Sequence, residues 1–331
     1  MISNSNEFDE HRAGEWDAAT ENDIYQCYRL LLNREPDHDG WTTFLSNIHG
    51  GMRVQSLVAV FLNSVEFRNR TATQTAAELA PRLVEADGFR IFVYENDSPG
   101  TRAITEGRSY EPHIVKRLRR LLQAGHVFVD VGASIGYLSM AAAGELKGSG
   151  KVICFEPDLH SCKLIYLSAK ANHFHNIEIF PFAVADRERN VIFDSMQGNG
   201  VISDFDVNLE STPMRFVTRA MTLDKVLQDE AVIDVIKMDI EGAEYLALQG
   251  AQNLLRKHRP AIISEFSPAA LRNVSGVPAE AYLQKLISER YGISVLEFDG
   301  RVIECGVEIQ KVMNVFDQHG TSHIDILATP E

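Results

Sequence analysis

The chain has 331 residues, 45% of them hydrophobic, enough for one large core and a small accessory module. Its formal net charge of −14 argues against nucleic acid as a partner, and the short basic run Lys116-Arg117-Leu118-Arg119-Arg120 reads as a solvated helix face. A polar, acidic start that is not signal-like, the lack of any bilayer-length apolar run, and four cysteines without C-x-x-C spacing together give the expectation of a cytoplasmic protein with reduced thiols.

In chain order, residues 1–20 are expected to be a disordered leader and 21–70 a helical module. In that module Ile24, Tyr28 and Leu31 share one helical face, and a second helix runs from Trp41 to about Ile48. A third carries Val54, Leu57, Val58, Phe61 and Leu62, after which Ser64 caps a short turn holding Phe67. Asp37-x-Asp39-Gly40 suggests a calcium loop, but Trp41 and Thr42 stand where an oxygen ligand and glycine are needed, so helix capping is the better account. Residues 71–88 are expected to be a linker helix, and 89–331 one catalytic domain.

That domain alternates in βαβ fashion. Strands are expected near 89–94, 127–131, 152–156, 177–182, 232–239, 261–266 and 293–298, and helices near 137–146, 159–171, 222–228, 243–256 and 279–290. The fold class is α/β, a doubly wound Rossmann-like sheet, mostly parallel with antiparallel C-terminal strands, beside a small helical bundle. Residues 195–220 are expected to be a long irregular insertion that selects the substrate.

The most informative stretch is Val127-Phe128-Val129-Asp130-Val131-Gly132-Ala133-Ser134-Ile135-Gly136-Tyr137: an apolar strand, an acid, a glycine turn and a helix start. A dinucleotide fold calls for G-x-G-x-x-G; here Ser134 replaces the middle glycine, and Asp130 precedes the turn where it would repel a pyrophosphate. A carboxylate there suits a cation, and S-adenosylmethionine (SAM) carries an ammonium and a sulfonium without phosphate. Glu156, ending the next strand, is placed to accept from ribose hydroxyls, while Asp158 reads as a helix N-cap. Ala183, Val184 and Asp186 end a third strand that would border the adenine, although Asp186 equally suits capping a turn. Tyr110 and Glu111 are expected to cover the cofactor, with His113 near its rim.

A second dense signal is Ile236-Lys237-Met238-Asp239-Ile240-Glu241-Gly242-Ala243-Glu244. Strand alternation puts Lys237 and Asp239 on one side of a strand buried on both faces, where polar residues need a reason. Lys237, Asp239 and Glu241 are therefore the candidate catalytic residues, and Glu265 ends a fifth strand at the same rim. Asp239 would take a proton, or with Glu241 or Glu265 hold a divalent metal; no dedicated metal motif is present, and His173-Phe174-His175 reads as a connecting loop.

In order and spacing, Phe128–Gly136, Phe155-Glu156-Pro157, Ala183–Asp186, Met221-Thr222-Leu223-Asp224 and Ile236–Glu244 resemble FkbM-type SAM-dependent methyltransferases. The resemblance implies SAM bound by Asp130, Gly132, Gly136 and Glu156, and Ala133, Ser134 and Tyr137 of the same turn are expected to line that cofactor site. It further implies an acceptor bordered by Lys237, Asp239 and Glu241, and O-methylation of a sugar, glycan or related metabolite. The run Tyr28–Asp37 with Gly40-Trp41 and Ser64–Phe67 is similar to a small bacterial helical module found beside enzymes of cell-surface glycans, which implies a glycan-synthesis protein as partner of residues 21–70. The competing expectation is a degenerate scaffold that recruits such enzymes; the intact Asp130, Glu156 and glycines weigh against it.

Overall fold

A computed structural model describes residues 18–32, 34–62, 64, 66–67, 81–94, 99–196, 199–203 and 215–331. The expected leader up to residue 17, and 71–80 of the expected linker helix, lie outside these. The chain divides into two units, Met1–Leu79 and Ala80–Glu331.

The first unit contains α1 (Glu21–Leu32), α2 (His38–His49) and α3 (Val54–Leu62). Tyr28, Phe44 and Phe61 form its aromatic centre, with Tyr28 edge-on to Phe61 at 4.8 Å. Asp37 caps α2 by accepting from Gly40 N at 2.8 Å, as the capping argument expects. Glycine is needed at position 40 because a Cβ there would lie 1.8 Å from Tyr28 Oη. Arg34 grips Glu66 through two hydrogen bonds of 2.8 and 2.9 Å, and Ser64 Oγ accepts from Phe67 N.

The second unit opens with a hairpin, β1 (Arg82–Ala86) and β2 (Phe89–Val93), which corrects the expected helix over 82–88. Asp87 (φ 46) and Gly88 (φ 89) supply the two left-handed residues of a two-residue hairpin turn, and that local geometry overrides the helix-forming Ala and Glu around it. Next come α4 (Pro99–Thr105), α5 (Pro112–Leu121), β3 (Val127–Val131), α6 (Tyr137–Leu146), β4 (Lys151–Phe155), α7 (Leu159–Ala171), β5 (Ile177–Phe180) and β6 (Ala183–Val184). Strands β7 (Arg189–Met196), β8 (Asn199–Ser203) and β9 (Arg215–Met221) then form a second sheet with β6, in the order β6-β9-β7-β8. The described residues of the expected irregular insertion are strand: Val191, Phe193 and Ile202 alternate into a small core of their own, while residues 197–198 and 204–214 lie outside the described set.

The chain continues through α8 (Leu223–Val226), β10 (Val235–Met238), α9 (Glu244–Gln249), α10 (Gln252–His258), β11 (Ala261–Phe266), α11 (Pro268–Val274), α12 (Ala279–Ser288), β12 (Tyr291–Leu296), β13 (Val302–Gly306), α13 (Ile309–His319) and β14 (Ile324–Pro330). The single helix expected over 243–256 is broken at Gly250, where a Cβ would lie 2.2 Å from Ala185 O. The main sheet has the order β13-β12-β14-β11-β10-β3-β4-β5. Strands β11, β10, β3, β4 and β5 are mutually parallel, and the C-terminal three are antiparallel. β14, which the sequence reading does not single out, slots between β11 and β12. From β3 the chain first winds towards β5 and later returns to place β10 on the other side. The β3–β10 boundary is therefore the switch point where an open α/β sheet leaves a crevice at its carboxyl ends. All five residues of β3 are buried, and every residue of β10 is too.

Candidate active site

A cavity of about 720 Å³ opens over this switch point. Its first half is built by the β3–α6 turn. Gly132 (φ 80) permits close approach of the neighbouring strand end, since a Cβ there would lie 1.9 Å from Asp239 O; Gly136 (φ 84) starts α6 against Ile165. Gly132 N and Ala133 N both donate to Phe155 O, at 2.9 and 3.1 Å, tying this turn to β4. Ser134, in the left-handed region at φ 49, donates its N–H to Glu156 Oε2 at 2.8 Å, and Asp158 N donates to Glu156 Oε1 at 2.8 Å. Asp158 also caps α7, as expected.

Asp130 is 1% exposed; its Oδ2 accepts from Ser139 Oγ at 2.5 Å, whereas its Oδ1 is buried without a partner. An unpaired carboxylate oxygen beside a glycine cradle fits a cationic, phosphate-free ligand such as SAM, and fits a pyrophosphate poorly. Ala183, Val184, Tyr137 and Glu111 line the same cavity. Tyr137 Oη donates to Asp87 Oδ2 at 2.8 Å and accepts from Tyr110 N at 3.2 Å. The hairpin turn thereby fixes the loop that carries Tyr110 and Glu111.

The second half is built by β10, β11 and the start of β14. Lys237 is the register partner of Asp130 across the parallel β3–β10 pair. It is 7% exposed, and its Nζ lies 3.1 Å from Asp239 Oδ2. Burial alone would lower the lysine's pKa, but Asp239, Asp130 and Glu111 together hold it well above the ordinary value. Burial likewise opposes ionisation of Asp239, and Lys237 outweighs it, holding that carboxyl below its usual range. Asp239, Glu241 and Glu265 can each bring a carboxylate oxygen within 4.8 Å of the others. Burial, reinforced by Asp239, pushes Glu265 up to about 10, while its Oε1 faces His323 Nδ1 at 3.4 Å and its Oε2 is buried without a partner. Glu241 stands in the left-handed region (φ 55) and Gly242 at φ 99, where a Cβ would meet Ala270 O at 2.3 Å. Buried Glu244 closes this turn by accepting from Ile240 N at 2.8 Å.

A methyltransferase FkbM domain matches residues 130–320, more than half of the chain. The chain belongs to the FkbM methyltransferase family. A domain of unknown function (DUF4214) matches residues 1–71. Among solved structures, the FkbM methyltransferase from Methylobacillus flagellatus is similar at 18% identity and a TM-score of 0.37, over 81% of this chain and 54% of that one, so this chain spans about half its length. TYW2 from Pyrococcus horikoshii, solved with MeSAdo, is similar at 12% identity and a TM-score of 0.40, over 76% and 73% of the two chains. A SAM-dependent methyltransferase from Aquifex aeolicus is similar at 12% and 0.35, over 67% and 89%. No curated protein matches.

In this member of the family, every residue singled out for cofactor or catalysis lines the cavity except Gly136 and Asp186. Gly136 sits behind the turn against Ile165, and Asp186 is a correction: its carboxylate, just past β6, pairs with Arg189 and Arg187 and does not line the cavity. Glu265, noted at the rim, stands beside Asp239. Ser322, His323 and Asp325 form a wall that sequence reasoning missed, because only the antiparallel insertion of β14 carries them there. Their one sequence signal is a polar cluster, Thr321-Ser322-His323, ahead of an alternating strand.

Burial sets the cavity's pH response. An unfolded glutamate releases its proton near 4.5, whereas folding holds Glu111, Glu241 and Glu244 up to about 7 and Glu156 up to about 8, burial being the first cause for each. Between those values the folded FkbM methyltransferase binds more protons than the unfolded chain, so its stability falls as pH rises. Tm is therefore expected to drop between about pH 5 and about pH 8, and a cationic ligand should bind more tightly over the same window with release of protons. Differential scanning calorimetry, and titration in buffers of unlike ionisation heat, check this; a Tm that is flat or rises across the window contradicts it.

Proposed function

We propose that this FkbM methyltransferase is SAM-dependent and methylates a hydroxyl oxygen of a sugar or glycan. The observation that carries the reading is the pairing of two unlike halves in one cavity: a glycine cradle with the orphan carboxylate oxygen of Asp130, and an acid cluster organised by one buried lysine.

Bound SAM supplies an electrophilic methyl on a sulfonium sulfur. Asp130 and the Gly132–Gly136 turn would hold its cationic end, Glu156 its ribose, and Ala183 and Val184 its adenine. Holding the acceptor oxygen in line with the methyl group would supply most of the acceleration. The acceptor hydroxyl would become strongly acidic on methylation, so a carboxylate that is ionised at neutral pH would suffice as its base. Lys237 keeps Asp239 in that state, and Asp239 takes the proton. Glu241, at the open edge of the cluster, would border the sugar.

A second reading is favoured by the convergence of Asp239, Glu241 and Glu265: the three would hold a divalent cation that lowers the hydroxyl pKa. Methyl transfer from labelled SAM to a panel of sugars and glycans, with and without EDTA, tests both. Turnover that survives chelation supports the metal-free base, loss restored by Mg²⁺ or Mn²⁺ supports the metal, and transfer only to nitrogen or carbon acceptors defeats the O-methylation reading. The helical unit is proposed to dock a glycan-synthesis protein.

A further inference from the structure

The basic run that reads in sequence as a solvated helix face has a more specific arrangement in the fold. His113, Lys116, Arg117 and Arg120 fall at i, i+3, i+4 and i+7 of α5, so they form one stripe running about 10 Å along the helix. Arg301, on the connection between β12 and β13, completes a shallow recess with them. The connection is packed closely on the stripe: a Cβ at Gly300 would lie 3.2 Å from Lys116 Nζ.

Three further features distinguish the stripe from an ordinary charged surface. First, Lys116, Arg117 and Arg120 make no ion pair or hydrogen bond among the described residues, although the chain carries 46 acidic residues against 32 basic ones. Their neighbour Arg119 points elsewhere and is paired with Glu145 at 2.9 Å. Glu297, which lines the recess, is engaged by His319 at 3.0 Å, and Asp299 beside it by Arg301 at 2.6 Å. Arg117 is partly buried, and that burial together with Arg120 lowers its pKa, so these two guanidiniums crowd one another, while Lys116 is close enough to act on the Asp299 carboxylate. Second, the recess shares a wall with the methyl-transfer cavity. His113 lines the recess, and its Nε2 is 2.7 Å from Oδ2 of Asp325, which lines the cavity; the buried His113 Nδ1 has no partner. Third, Phe298 is 54% exposed and edge-on to His113 at 4.9 Å, an aromatic face left beside the cations.

We propose that this recess binds the diphosphate of a nucleotide-linked sugar, with Phe298 as the platform for the base, so that the acceptor's sugar ring reaches the carboxylates of the neighbouring cavity. The inference rests on the sugar-acceptor reading and narrows it to an activated, phosphorylated sugar. Lys116 and Arg120 are the exposed phosphate contacts and Arg117 the more rigid one. A guanidinium and an ammonium without a hydrogen-bonded partner at one spot give a diphosphate charge-assisted hydrogen bonds.

Calorimetric titration of the full chain with inorganic pyrophosphate, UDP, GDP and dTDP tests this directly, alongside SAM. Pyrophosphate and at least one nucleotide should bind, more weakly at high salt, and the double variant Lys116→Glu/Arg120→Glu should lose at least about tenfold in affinity for both. Phe298→Ala should weaken the nucleotide and leave pyrophosphate unchanged. SAM affinity, whose site is on the other side of Asp325, reports separately on the methyltransferase reading. Failure of pyrophosphate and all three nucleotides to bind a protein that binds SAM overturns the proposal, as does binding undiminished in the double variant. Capture by anionic vesicles or by an oligonucleotide that these nucleotides do not displace likewise overturns it, reassigning the stripe to a membrane or a nucleic acid.

Discussion

Replacing Asp239 by Asn is expected to lower methyl-transfer turnover by about 10²–10⁴-fold, with SAM affinity close to that of the unaltered protein. Asparagine keeps the size and one hydrogen-bond acceptor but cannot take a proton, and it removes the charge that pairs with Lys237 at 3.1 Å. On the proposed reading the side chain faces the acceptor, whereas position 239 meets the Gly132 turn through its backbone oxygen, which the substitution leaves in place. Single-turnover kinetics with saturating SAM separate the step from binding. Turnover left intact would remove both the base and the metal roles of Asp239. The matching substitution Glu241→Gln, at a residue that would border the acceptor, should act mainly on KM.

Lys237→Met is expected to destabilise the fold by about 3–5 kcal/mol, the usual cost of removing one partner from a buried charge cluster. Methionine matches the length and apolar stem of lysine but leaves Asp239, Asp130 and Glu111, whose charges all act on Lys237, without their shared cation. The carboxyl of Asp239 should then rise from its depressed state towards protonation, because burial is no longer outweighed. Denaturant unfolding measures the stability loss, and any residual activity should shift its acidic limb to higher pH. A variant as stable as the parent would show that the lysine is not the organising charge of this cluster.

How much of this was legible in the sequence depended on whether the signal was local. The β3–α6 turn and the β10 end are each specified within about a dozen residues, and both halves of the cavity stand where their acids, glycines and apolar runs place them. The Asp87-Gly88 hairpin was also local, but it was masked by the helix-forming residues around it. Asp186 was underdetermined, because an acid at a strand end serves a cofactor or a nearby arginine equally well; Arg189, three residues on, takes it. The wall from Ser322 to Asp325 was not legible. It joins Glu265 only through antiparallel pairing of β11 with a strand some sixty residues later, and no periodicity announces which edge a late strand will fill. The unpaired state of Lys116, Arg117 and Arg120 is likewise a tertiary fact, since a sequence of 46 acids offers many partners that the fold places elsewhere.

The most direct measurement is calorimetric titration of the full chain with SAM and S-adenosylhomocysteine, in parallel with NAD, repeated on Asp130→Ala and Glu156→Ala. Binding of the first two at micromolar levels, absence of NAD binding, and loss of affinity in both variants are expected from a carboxylate-lined, phosphate-free cradle. NAD binding in place of SAM, or SAM binding indifferent to both substitutions in folded protein, would contradict the assignment of this cavity.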